Sequence, residues 1–271
     1  MKKRLIFALL WDSGQFCLSR NFRLQRVGDL SWLMETYDFH SVTSCIDELL
    51  LLDVSTGPRL SPPFLADVSR LAQSLFIPIG VGGGVTTLSK AERLLESGAD
   101  KILINSQLVR DANSVKHIAA AIGKQSVVAS VDWRHSARHR FSAFIDSGRT
   151  EVGSLTEVLT AIGDIVGELL LNGIDRDGTG NGIDLEVVEA VPTNFDRPII
   201  IMGGIGTPAH LVEALTTPRV NAVATANLLN FVGDALRLAR DTIAESGIQL
   251  PSWIPVSALP SEIQSRNQLQ W

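Results

Sequence analysis

Residues 77–85 read IPIGVGGGV and residues 197–205 read RPIIIMGGI. Laid over each other, Pro78 falls on Pro198 and the pair Gly83-Gly84 on Gly203-Gly204, 120 positions apart. Each stretch is a short apolar run that ends in glycine and is followed by a segment of helical period. Short Ile/Leu/Val runs with little polar alternation are the pattern of parallel strands covered on both faces. The spacing recurs outward from this pair. DELLLL (47–52) matches GELLLN (167–172), with Glu48 on Glu168 and again 120 positions between them. ALLW (8–11) matches SVDW (130–133), with Trp11 on Trp133 and Leu10 on Asp132, 122 positions apart. Three strand pairs at nearly one offset predict two half-units of four strands, the second repeating the first.

The remaining runs complete the count. Strands are predicted at 4–10, 46–53, 77–81, 101–104, 126–132, 168–172, 198–202 and 220–225. Helices are predicted near 29–42, 62–75, 87–97, 111–122, 153–165, 184–191, 207–216 and 232–246. Eight strands, each followed by a helix, make an α/β fold of the (β/α)₈ (TIM) barrel type, built here from two half-barrel repeats. Its 271 residues suit one barrel. We place the barrel at 1–247 and an irregular, proline-containing tail at 248–271. Residues 134–150 stand outside the pattern and read as an insertion after the fifth strand, a small hairpin.

Composition narrows the function classes. Apolar residues are 45% and charged residues 20%, so a large core is expected. A formal net charge of −5 argues against nucleic acid as a partner. Cys17 and Cys45 are too few for a disulfide framework or a cysteine zinc site and fit a reducing cytoplasm. The start, MKKRLIFALLW, has the charge and apolar run of a signal peptide. The run is short, however, and ends at Asp12-Ser13-Gly14, so it reads as the first buried strand. No apolar run is long enough to span a membrane. His40, His117, His135, His139 and His210 lack ligand spacing, so neither a metal nor a cofactor is expected.

Active sites of such barrels lie where strands end. The ends here carry Leu10, Asp53, Gly83, Gly84, Asn105, Asp132, the loop 172–179, Gly203, Gly204 and Asn227. Glycine lets backbone N–H groups approach a phosphate, and the helix that follows favours its charge. Ser106 and Asn227 would complete one cradle each. Two cradles half a barrel apart suit a long substrate with a phosphate at each end. Tight turns without a ligand are the plain alternative, and repetition at one offset favours the phosphates. IDRDGTGNG (174–182) adds Asp177, Gly178 and Thr179, although Asp-Gly is also a common turn pair. Asp132 is a candidate general acid or base if partly desolvated. Its plain alternative is a cap, and Asp53 orients its neighbours. At the strand starts, Arg4, Glu48, Lys101 and Glu168 would form a charged ring on the barrel floor. Spacing alone makes that ring an ion-pair cap.

These stretches resemble the cyclase subunit of imidazole glycerol phosphate synthase over residues 3–247. The resemblance rests on RLIFALL, GDL, IDELLLLDV, IPIGVGGGV, GADKILIN, VVASVD, GELLLNGIDRDGTGNG, PIIIMGGIG and NAVATAN. IDRDGT fits the cyclase better than its sister isomerase of histidine synthesis. The resemblance implies a two-phosphate ligand and a glutaminase partner forming a heterodimer. It also implies ammonia entering through a gate made by Arg4, Glu48, Lys101 and Glu168, which reverses the reading from spacing. It further implies two catalytic aspartates, of which Asp132 matches one and the other falls on Leu10. A lysine expected after the first strand reads as Leu18, with Arg20 nearby. Asp12 is a possible substitute for the missing acid. Without it, a loss of about 10²–10⁴ in rate is expected.

Leucine at this strand-one position, with RNFRLQRVGD (20–29), resembles paralogues of surface-polysaccharide gene clusters. For those, the resemblance implies delivery of ammonia to an ATP-dependent sugar amidotransferase that makes an acetamidino group. Three functions therefore stand side by side. They are an ammonia-delivering subunit for amidino-sugar synthesis, a working cyclase–lyase of histidine synthesis, and a non-catalytic scaffold that activates a glutaminase.

Overall fold

In the strand Arg4–Asp12 (β1) every side chain after Arg4 is buried, which is what a strand covered on both faces requires. The structure, a computed structural model, describes residues 2–37, 42, 44–226 and 235–251. After β1 come β2 (Gln15–Arg20), β3 (Arg23–Gly28), α1 (Leu30–Tyr37), β4 (Glu48–Asp53), α2 (Pro62–Ser74), β5 (Ile79–Gly82) and α3 (Leu88–Glu96). The chain continues through β6 (Lys101–Ile104), α4 (Gln107–Arg110), α5 (Ala112–Ile122), β7 (Val127–Arg134), β8 (Ser142–Ile145), β9 (Thr150–Ser154) and α6 (Leu155–Ile162). It ends with β10 (Glu168–Gly173), β11 (Ile199–Met202), α7 (Pro208–Thr216), β12 (Val220–Thr225) and α8 (Ala235–Glu245).

Parallel pairing runs β1-β4-β5-β6-β7-β10-β11-β12 and returns from β12 to β1, so the sheet closes into a barrel. Alternation along each strand then makes two apolar layers. Leu5, Phe7, Leu9 and Trp11 of β1 face the surrounding helices. Ile6 and Ala8 face the lumen, with Leu50, Leu103, Val128, Leu170, Ile200, Met202, Ala222 and Ala224.

The half-barrel repeat holds hydrogen bond by hydrogen bond. Leu49 N–H donates to the Pro78 carbonyl (3.0 Å), and Leu169 N–H to the Pro198 carbonyl (2.9 Å). Val54 N–H donates to the Trp11 carbonyl and Ile174 N–H to the Trp133 carbonyl, both at 2.9 Å. Thr87 and Thr207 cap α3 and α7 with the same backbone conformation and the same bond to the third residue on. The glycine pairs repeat as well. A Cβ on Gly83 would lie 2.3 Å from the Asp53 carbonyl oxygen, and one on Gly203 2.7 Å from that of Gly173. Both residues have positive φ, so only glycine fits the close crossing.

Three expectations need correction. Residues 184–191 do not form an α-helix: Leu185–Ala190 is 3₁₀. Adjacent β-branched Val187 and Val188 disfavour a longer helix, and Pro192 prevents its continuation. Residues 15–28, for which no element was predicted, form the antiparallel hairpin β2–β3 beside β1. The insertion after the fifth strand is a hairpin, β8–β9, and it extends further than expected, to Ser154. Each half-barrel therefore carries a hairpin after its first strand. His40, Asn227 and nearly all of the tail lie outside the described residues.

Candidate active site at the barrel rim

Strand register sets the opposing roles of Leu10 and Asp132. Ile6 pairs with Glu48 and Leu10 with Leu52. In the second half Val128 pairs with Glu168 and Asp132 with Asn172. Leu10 therefore occupies the same rung as Asp132, as the match of Trp11 to Trp133 predicts. Both are buried, at 7% exposure each.

Asp132 has two amide partners. Asn105 Nδ2 donates to Oδ2 (3.0 Å) and Asn172 Nδ2 to Oδ1 (3.3 Å). Burial pushes the carboxyl up to about 7, outweighing the two amide donors, and the Asp177 charge adds to the rise. No ion pair reaches Asp132 among the described residues. A carboxyl poised near neutrality can give and take a proton under working conditions.

Asp12 is arranged differently. Arg26 of β3 pairs with its Oδ2 at 2.8 Å, and the Ser13 hydroxyl donates to Oδ1 (2.9 Å). Burial opposes ionisation, but the hydrogen bonds from Arg26 and Ser13 and the Arg26 charge hold the carboxyl below its usual range. Asp53 accepts from the backbone N–H groups of Ser55 (3.1 Å) and Leu60 (2.7 Å), which organises the loop after β4.

Asp177, Gly178, Gly203 and Gly204 line one small cleft with Leu18, Ser19 and Thr225. The hairpin β2–β3 forms its wall. Ser19 Oγ donates to Asp177 Oδ2, Phe22 N–H donates to the same oxygen (3.0 Å), and Asn21 N–H donates to the Asp177 carbonyl (2.9 Å). Burial raises the Asp177 carboxyl despite these donors. The Thr179 hydroxyl turns away and donates to the Arg176 carbonyl (2.8 Å), closing the turn.

Side chains of other elements also reach the first-half cradle, whose Gly83 and Gly84 are half-buried. The Ser106 hydroxyl accepts from Asp146 N–H and donates to Asn105 Oδ1, both at 3.2 Å. Asp146, at the tip of β8–β9, also binds Arg110 (2.7 Å). Gly84 lies against the Arg59 side chain, whose Nε donates to the Ser55 carbonyl (2.9 Å). The two cradles are thus alike in backbone and unlike in the side chains that reach them. Sequence reading missed Arg26, Ser19 and Asp146 as partners of the rim. Their contacts depend on how the hairpins fold back.

At the opposite end, Arg4 donates to Glu48 Oε2 (2.7 Å) and Glu168 Oε2 (3.0 Å). Lys101 donates to Glu48 Oε2 (2.8 Å) and Glu168 Oε1 (3.0 Å). Alternating charges close a ring across the floor. Burial raises the Glu48 carboxyl, and Lys101 and Arg4 only partly offset it. At the less buried Glu168 burial acts the same way, but the two cations outweigh it and hold the carboxyl low.

Comparison with known proteins agrees with this architecture. The family model described as "Histidine biosynthesis protein" matches residues 25–233. A protein of Parasynechococcus marenigrum (strain WH8102), named "Putative imidazole glycerol phosphate synthase subunit hisF2", is 42% identical over 255 residues. The alignment covers 93% of this chain and 94% of that protein. With its closed two-fold barrel, the chain belongs to the histidine biosynthesis protein family, as a protein like the cyclase subunit of imidazole glycerol phosphate synthase.

Proposed function

We propose that the protein is an ammonia-delivering subunit. It docks a glutaminase at the charged floor and passes ammonia along the lumen to the rim. Its acceptor differs from the histidine-pathway intermediate, and the reading favoured here is an amidino-sugar amidotransferase reaction. The observation that carries this is Leu10 on the rung of Asp132. Ring closure of the family type needs an acid at both positions, and leucine exchanges no proton. Asp12 is a poor replacement because Arg26 holds it ionised in a salt bridge. An intact floor ring, an apolar lumen and a cleft lined by Gly203 and Gly204 support retention of the other parts.

The test is ring closure from the family's bis-phosphate intermediate and an ammonium salt, run with native protein and with Leu10→Asp. We expect no turnover from the native protein and measurable turnover from the variant. Turnover by the native protein would establish the working cyclase and refute this reading. Silence from both would place the divergence in the substrate site itself. Glutaminase docking is tested separately by co-elution and by stimulated glutamine hydrolysis. Stimulation with no ammonia passed to any acceptor would identify the scaffold.

A further inference from the structure

Arg134 ends β7 and His135 follows it, and their partners stand at the two ends of the loop that carries Asp177, Gly178 and Thr179. Arg134 Nε lies 3.9 Å from Asp175 Oδ1, and His135 Nε2 lies 2.8 Å from Asp184 Oδ2. The loop between needs such ties. Gly178, Gly180 and Gly182 all have positive φ and give it a very free backbone. Asp184 is itself anchored: its Oδ1 accepts from Glu186 N–H (3.2 Å) and caps the 3₁₀ turn Leu185–Ala190. Gly182 N–H donates to the Gly204 carbonyl (2.8 Å), so the end of the loop held by His135 is also the end that meets the cleft glycines.

Both ring nitrogens of His135 face acceptors. Nε2 faces the Asp184 carboxylate, and Nδ1 lies 2.6 Å from the Arg140 carbonyl oxygen. Neither a carbonyl nor a carboxylate has a proton to give, so both nitrogens must donate. A neutral imidazole has one N–H, and only imidazolium has two. The hydrogen bond to Asp184 raises the ring above its usual value. Partial desolvation opposes this, and the Arg140 carbonyl and the charges of Asp184 and Asp175 add to it. The other charges nearby are engaged elsewhere. The Arg140 guanidinium pairs with Glu186 and with Glu189 (3.2 Å) on the 3₁₀ turn. Arg138 and His139 act on Glu151 of β9, which accepts from Ser136 and Ser142.

The first half-barrel closes the same span without a titratable group. Asp175 and Asp184 match Ser55 and Phe64 at 120 positions, and His135 matches Ser13 at the 122 of the strand pair. There Ser13 N–H donates to Ser55 Oγ (3.1 Å), and buried Phe64 packs edge-on against Trp11, ring centroids 5.1 Å apart. We propose that Arg134 and His135 are positioning residues that clasp both ends of the loop 175–184, and that the clasp holds while His135 is protonated. Loss of that proton breaks one of its two contacts, and the loop that lines the cleft loosens. His135 gains its carboxylate partner on folding. The clasp is therefore complete below about pH 6.5 and is lost as pH rises through the folded value. Anion affinity at the cleft falls with it. That last consequence rests on the reading of the cleft as a phosphate cradle, whereas the clasp itself does not.

The test uses the isolated full chain and follows the His135 ring nitrogens and the Gly178, Gly180 and Gly182 amides by NMR from about pH 5 to about pH 9. We expect both ring nitrogens to be protonated at the acid end. The glycine amides should shift with the midpoint of the ring, above about 6.5. In His135→Gln, whose amide can donate to Asp184 at every pH, that step should vanish. A step that persists unchanged in this variant belongs to His210 beside Gly182, or to Asp177 or Asp132, and overturns the clasp. A His135 ring that titrates while the amides stand still also overturns it, and that readout needs no variant. Sulfate, which keeps its charge throughout this range, probes the cleft. Its affinity by calorimetry should fall about threefold or more from about pH 5.5 to about pH 8.5, relative to His135→Gln. A parent profile parallel to that of the variant overturns the link to the cleft. Sulfate binding at neither pH refutes the cradle reading, and the NMR titration then decides the clasp by itself.

Discussion

At the scale of single residues, Asp132 governs both chemistry and pH dependence. In the unfolded chain an aspartate titrates near about 4. In the folded protein burial raises Asp132 to about 7. The native state therefore binds more protons across that window, and stability falls as pH rises from about 4 to about 7, then levels off. Asp132→Asn is expected to remove that decline. Thermal melts should show the variant gaining on the parent at about pH 8 and matching it at about pH 4, each kcal/mol being about 2–4 °C in Tm. Leu10 was legible as a departure because Trp11 and Trp133 fix the overlay of the two strands. The bond from Arg26 to Asp12 was not legible, because it needs β3 to fold back across a turn.

At the scale of elements, the hairpin β2–β3 and the loop 174–179 form one wall of the open cleft. Gly178 makes this possible. Its φ is +64°, and a Cβ there would stand 2.0 Å from the Ser19 carbonyl oxygen. Gly178→Ala is expected to strain the turn and push the hairpin away, at about 1–3 kcal/mol. Urea denaturation should show that loss, and titration with inorganic phosphate should show weaker binding. Gly14→Ala is the control. Gly14 also has positive φ, +90°, but open space around its Cβ position. Its cost should be only the conformational one, about 1 kcal/mol, with phosphate binding unchanged. The helices and barrel strands were readable because their apolar periods are local. Hairpin β2–β3 was not predicted, since half of its residues are exposed and only Phe16 and Cys17 are buried, too little of a face to recognise.

At the scale of the whole molecule, the charged floor joins four different strands and ties the two half-barrels together. Glu48 is 1% exposed and shares one oxygen between Arg4 and Lys101. Removing one partner strands buried charge, so Lys101→Met is expected to cost about 3–5 kcal/mol in urea unfolding. Glu48→Gln added to Lys101→Met should recover part of that loss, because it removes a charge left unpaired. A fully additive double variant would show that the ring does not act as a unit.

The barrel, its two-fold repeat, the four floor residues and the Leu10/Asp132 contrast were all determined by the sequence alone. Each is carried by short-range pattern: apolar runs, glycine pairs and charges placed at strand ends, repeated at one spacing. Only the tertiary structure decided which side chains reach each cradle. Asp146 lies 40 positions from Ser106, and Ser19 lies 158 from Asp177. No local period encodes such contacts. They arise when two hairpins fold over a closed rim, so the backbone repeats while its side-chain partners do not.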